Sequence, residues 1–196
     1  MLTKLVDRIF TAVVSIQSNL WLSFKIVAVL GIIHLINFVV KYRFNRWGIR
    51  PRKLIGIPGI FLSPLFHGGF NHLFFNAIPL IILTALVLVD VDGVTNFSKI
   101  TFWLILVSGA LIWLFGRRGI HIGASALIMG YFGYLLSKAY FDFNNTTIIL
   151  AAICIYYLGG LITSIFPGAK RNVSWEGHLC GMIAGIGIAY IHTYLI

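Results

Sequence analysis

Read by polarity alone, the chain is a succession of long apolar runs separated by short polar or glycine-rich breaks. Six runs stand out: about Trp21 to Val40, Gly69 to Val89, Ile100 to Phe115, a fourth from near Gly123, Thr147 to about Phe166, and His178 to the end. Each comes near the length of about 20 residues that an α-helix needs to cross a bilayer. Ahead of the first, Leu2, Leu5, Val6, Ile9, Phe10, Val13 and Ile16 recur at helical spacing with Lys4, Asp7 and Arg8 between them. That is the pattern of an amphipathic helix lying at the membrane interface. A signal peptide fits less well, because Asp7 and Arg8 interrupt the apolar stretch and no small-residue cleavage site follows. Between the first two runs, the segment from Lys41 to about Phe66 starts with cations and turns apolar at Ile57-Pro-Gly-Ile-Phe-Leu-Ser-Pro64. It is too long and too apolar for a plain connector and is predicted to lie partly in the membrane surface. The pattern therefore predicts an all-α polytopic membrane protein built as one domain over 1–196. Residues 1–20 form the interfacial helix, and about 21–196 form a six-helix core with a long, partly membrane-embedded first loop.

Composition agrees: 59% of the residues are hydrophobic and 10% charged, where a soluble domain carries about a quarter charged residues. Cys154 and Cys180 both fall inside apolar runs, so neither a disulfide framework nor a metal-binding spacing is visible, and no cofactor motif is expected. The formal net charge of +10 raises the question of nucleic acid. Because the basic residues flank apolar spans, membrane lipids are the expected partner and nucleic acid is not.

Candidate chemistry begins with Gly123-Ala124-Ser125-Ala126, which puts a hydroxyl at the mouth of the fourth span. Taken alone, Ser125 reads as a packing residue, since small residues let membrane helices approach and serine usually bonds back to a helix. Three other features change that reading. The second span opens His67-Gly-Gly-Phe-Asn-His72-Leu-Phe-Phe-Asn76, with His72 and Asn76 one helical turn apart on one face. The sixth opens His178-Leu-Cys-Gly181-Met-Ile-Ala-Gly185, whose two glycines allow a neighbouring helix to reach backbone contact. Even-numbered spans all begin on the same side of a membrane, so these groups lie at similar depth under one face. By residue type, Ser125 is the nucleophile and His178 the general base and then acid. His72, Asn76 and the Ser125 N–H are the donors to an oxyanion. Asp90, Asp92 and Asp142 sit at the other ends of the spans, so a dyad is expected. The third span contributes no candidate chemistry, His34 reads as structural, and the Gly159-Gly160 pair marks a place for the fifth span to bend.

His67-x4-His72-x3-Asn76, Gly-Ala-Ser125 and His178-x2-Gly181-x3-Gly185, in this order over about residues 60 to 196, resemble the rhomboid family of intramembrane serine proteases. The resemblance implies hydrolysis of a peptide bond in or near the transmembrane segment of membrane protein substrates. It also implies a lateral gate formed by the fifth span and capped by the 167–177 loop. His67 then matches a structural or cavity-lining histidine. Two positions depart from the family pattern: Ala126 stands where glycine is usual, and Met129 where a tyrosine stacks on the catalytic histidine. Methionine is expected to pack against the imidazole through its polarizable sulfur. Glu176, two residues before His178, reads chiefly as a solvated loop carboxylate. The expected location is a multi-pass position in a bacterial inner membrane, with the oligomeric state left open. Orientation is contested by two arguments. Ten cations (Lys41, Arg43, Arg46, Arg50, Arg52, Lys53, Arg117, Arg118, Lys170, Arg171) flank the site face and five (Lys4, Arg8, Lys25, Lys99, Lys138) the opposite face. The positive-inside rule then favours a cytoplasmic site, whereas the resemblance implies cytoplasmic termini and an external site, which is the orientation adopted. The rival function is a catalytically inactive, rhomboid-like module that binds membrane clients.

Overall fold

The computed structural model describes residues 2–91, 93–167 and 174–195, with side chains from Phe10 onward except at residue 12. Asp92, Lys170 and Arg171, and the side chains that define the amphipathic face of residues 2–9, lie outside the described residues.

The described residues form seven α-helices in order: α1 (Leu2–Val39), α2 (Gly59–Leu62), α3 (Phe70–Asp90), α4 (Val94–Phe115), α5 (Ser125–Phe141), α6 (Asn145–Leu158) and α7 (Trp175–Tyr194). Among the described residues there is no strand, only one isolated bridge between Ile49 and His121. Four stretches of the described residues are long and apolar enough to cross a membrane: Val13–Val39, Phe70–Asp90, Val94–Phe115 and Asn145–Ile165. The polytopic, all-helical reading therefore stands. α5, with 17 residues, is shorter than these four, and α7, with 20, opens on the polar Glu176 and His178.

Two expected boundaries differ. No break separates an interfacial helix from the first span, because α1 runs unbroken through residue 20. Ser15, Ile16, Gln17 and Ser18 contain no glycine or proline to stop it. The fifth span is α-helical only to Leu158, and Gly159–Ile165 continues as a 3-10 turn, so the Gly159-Gly160 pair changes the helix type. The segment from residue 41 to 69 is a series of short turns, Arg43–Trp47, Leu54–Gly56, α2 and Ser63–Leu65.

α5 is the axis of the bundle. Ile128, Met129, Tyr131, Phe132, Tyr134 and Leu135 are all buried, so this helix is covered on every side. The others cover it with one face and expose apolar side chains on the other: Phe74 and Phe75 on α3, Trp103 on α4, Tyr156 and Tyr157 on α6. An apolar exterior around an apolar core is what a lipid solvent permits and water does not.

The tightest seam joins α5 to α7. A Cβ on Gly181 would strike the Ala126 carbonyl, and one on Gly185 the Gly130 carbonyl. Both contacts keep the same offset between the two helices, so α5 and α7 run parallel. One turn back toward the N-termini, that register sets His178 level with Gly123. The far end of the bundle carries a separate polar cluster. The Tyr134 hydroxyl donates to Asp90 Oδ2 at 2.8 Å and lies 2.7 Å from His192 Nδ1, while Lys138 Nζ donates to Asp142 and Thr193.

Candidate active site

The start of α5 is fixed by backbone groups. The Gly123 N–H donates to the Ser63 carbonyl at 2.9 Å, and the Ala124 N–H points at His67 Nε2 at 3.5 Å. Gly123 has φ 112°, outside the range open to ordinary L-residues, which turns the chain into the helix at Ser125. As the first residue of α5, Ser125 has no acceptor for its N–H among the described residues.

His72 and Asn76 lie over this turn. A Cβ on Gly123 would come 2.7 Å from His72 Nε2 and 3.8 Å from Asn76 Nδ2. Asn76 is buried and donates one Nδ2 hydrogen to the His72 carbonyl at 2.8 Å, which leaves its second hydrogen uncommitted. The Gly68 N–H donates to His72 Nδ1 at 3.3 Å. Because that nitrogen accepts, the neutral ring carries its proton on Nε2, the atom over Gly123, and is a donor there.

His178 has the opposite tautomer. Its Nδ1 is 3.1 Å from the Ser164 carbonyl, which can only accept, so Nδ1 carries the proton and Nε2 keeps a free lone pair. The Ser125 hydroxyl and His178 are not hydrogen-bonded in this structure. Both line the same end of the α5–α7 seam, and a cavity of about 30 Å³ beside Ser125 has room for a water molecule. Its walls include Ser63, His121, Gly123, Ser174 and Gly177. Ser108 and Ile112 of α4 also line it, so the third span, expected to contribute nothing, closes one side of the site.

The supporting residues fall as follows. His67 is fully buried, 5.1 Å from the His72 ring in an edge-on contact, with its Nδ1 unpartnered. His34 is equally buried, edge-on to Phe70 at 4.7 Å, with neither ring nitrogen bonded. Met129 is buried, and the Ser164 hydroxyl approaches its sulfur at 3.9 Å, so Met129 meets the turn that holds His178. The Ala126 methyl packs against Ile49, Ile112 and Cys180, and the close approach to α7 is supplied from the other side by Gly181. Glu176 is not a solvated carboxylate, because it pairs with Arg117 at 3.3 Å and is 12% exposed.

Three polar groups at the site were not singled out in the sequence. Ser164 emerges only when the 3-10 turn brings its carbonyl to His178. Ser174 caps α7, accepting from the Gly177 N–H at 3.2 Å, and lies 2.9 Å from His121 Nδ1. His121 in turn donates from Nε2 to the Arg117 carbonyl and bridges to Ile49. A serine just before an apolar run is an N-cap signal, so Ser174 was findable; Ser164 and His121 carry no comparable mark.

Residues 56–195 match the Rhomboid domain. The chain belongs to the rhomboid family. This rhomboid is also similar to uncharacterized proteins of Mycobacterium bovis and Mycobacterium tuberculosis, each 34% identical over 173 residues that cover 84% of this chain and 71% of the relative. An uncharacterized protein of Mycobacterium leprae is 33% identical over 172 residues, covering 84% and 67%.

Proposed function

We propose that this rhomboid is an intramembrane serine endopeptidase that cleaves a peptide bond in or near the transmembrane segment of membrane protein substrates through a Ser125–His178 dyad. The observation that carries the reading is the pair of opposed tautomers. One backbone carbonyl leaves His178 Nε2 free to act as a base, and one backbone N–H makes His72 Nε2–H a donor over Gly123.

In this reading Ser125 Oγ attacks the scissile carbonyl carbon while its proton passes to His178 Nε2. The oxyanion accepts from Asn76 Nδ2, His72 Nε2 and the Ser125 N–H. His178 then protonates the leaving amine. Water entering by the Ser63–His121–Ser174 cavity, deprotonated by the same nitrogen, releases the acyl group. The Ser164 carbonyl acts where an aspartate stands in a triad: it holds the imidazole in the right tautomer and stabilises the imidazolium. The Gly159–Ile165 turn, in the family's gate region, therefore also positions the base. Six membrane traverses, formed by α1 and α3 to α7 with the residue 41–69 segment in the membrane surface, and a place in a bacterial inner membrane belong to the same proposal.

The test is labelling of the detergent-solubilised protein with a fluorophosphonate serine probe, which Ser125→Ala and His178→Ala are expected to abolish. The unbonded Ser125–His178 pair favours one alternative, a client-binding rhomboid that does not cut. Absence of labelling, together with no cleavage of any transmembrane substrate, selects that alternative.

A further inference from the structure

Arg50, Arg52, Lys53 and Arg118 line a cleft of about 460 Å³ with Pro51, Gly119 and Ile120, and among the described residues no carboxylate is in its walls. The chain has five acidic residues. Glu176 is committed to Arg117, while Asp90 and Asp142 are bonded at the far end of the bundle. Nothing in the described protein therefore neutralises these four cations. Arg50 reaches the cleft with its guanidinium, whose Nη2 donates to the Arg46 carbonyl at 3.4 Å, a neutral partner that leaves the charge in place.

The cleft is also built rather than incidental. Arg52 is held at φ 57°, a left-handed conformation that a non-glycine residue keeps only under tertiary restraint. The restraint comes from the end of α4. The Arg52 N–H donates to the Trp113 carbonyl and its Nη1 to the Leu114 carbonyl, both at 2.9 Å, and Trp113 Nε1 donates to the Lys53 carbonyl at 2.9 Å. Exposed apolar side chains adjoin these residues along the chain: Leu54 at 80% and Ile55 at 64% follow Lys53, and Phe115 at 71% follows Leu114, whose carbonyl holds Arg52.

We propose that this cleft binds the phosphodiester headgroup of an anionic phospholipid. Four unneutralised cations select an anion. The adjoining Leu54, Ile55 and Phe115 select one that carries acyl chains, since a free phosphate gains nothing from them. The proposal is independent of proteolysis, and it accounts for the excess of cations on the site face: the headgroup neutralises charge that an externally placed loop would otherwise carry unpaired.

Native mass spectrometry of the detergent-solubilised protein with added phosphatidylglycerol or phosphatidylcholine tests it. Phosphatidylglycerol is expected to be retained in preference, and millimolar inorganic phosphate is expected not to displace it. Lys53→Gln with Arg118→Gln, both at exposed positions, should weaken binding about 25-fold, at roughly fivefold per charge. Lys99→Gln on the opposite face should leave it unchanged, and Arg50→Gln should weaken it further. Equal retention of the two lipids, undiminished binding in the double variant, or displacement by inorganic phosphate would each overturn the headgroup assignment.

Discussion

Gly123 is the residue at which most of the site meets. It supplies the φ of 112° that starts α5, and it leaves the space that His72 Nε2 needs. Gly123→Ala is expected to add a strain of about 1–3 kcal/mol and to push His72 out of line, so probe labelling of Ser125 should fall even in molecules that remain folded, as judged by thermal melting. On the proposed mechanism Asn76→Ala removes an oxyanion donor while leaving the turn intact, and it should lower kcat about a hundredfold with little change in KM. A rise in KM with kcat unchanged would assign Asn76 to ground-state binding instead. The tautomers give a third expectation, independent of turnover: in ¹⁵N-histidine spectra, assigned by loss of the His178 and His72 signals in single variants, His178 should be protonated at Nδ1 and His72 at Nε2. The same protonated nitrogen on both would remove the chemical basis for their different roles. The residue types and spacings on single spans were readable in advance, because His72 and Asn76, or His178 and Gly181, lie within one turn of each other. Ser164 was not, since its relevance depends on a carbonyl direction that arises when Gly159 converts the helix to a 3-10 turn.

At the scale of elements, the α5–α7 seam decides how closely Ser125 and His178 can approach. The two glycines of α7 were legible as a small-residue motif, but which neighbour they face, and in what register, was not. Ala126 stands after Ser125, where the family pattern has glycine, without loss of contact, because the space is made by Gly181 beneath the Ala126 carbonyl. Gly181→Ala should therefore destabilise the protein by about 1–3 kcal/mol through overpacking. Ala126→Gly should not rescue it, because the clash is with backbone rather than with the methyl. Gly187, on the same helix, has nothing within 4 Å of where its Cβ would stand. Gly187→Ala should be neutral or stabilising by about 0.5–1 kcal/mol, and thermal melts of the three variants in one detergent check the ordering. If Gly181→Ala melts like Gly187→Ala, the seam is looser than the contacts imply.

Across the whole molecule, the polar groups fall into two clusters at opposite ends of the bundle. The Ser125 end gathers the two tautomer-fixed histidines, the cavity and the basic cleft. The far end is closed by Asp90–Tyr134–His192 and Lys138–Asp142–Thr193. Tyr134 follows Ser125 on the same helix by nine residues, about 14 Å at 1.5 Å per residue. Orientation in the membrane is a property of this whole arrangement, and the sequence alone left two rules in conflict over it. If the surplus cations of the site face are neutralised by lipid headgroups, they no longer hold that face inside, and the external site expected from family membership is free to stand. The chain provides its own control, because Cys154 and Cys180 are both buried and should stay silent toward a membrane-impermeant maleimide. Arg118→Cys, exposed beside the site, should label in intact cells, whereas Lys99→Cys, exposed near the start of α4, should label only after permeabilisation. The reverse pattern would put Ser125 on the cytoplasmic side, where the count of ten cations against five alone would place it.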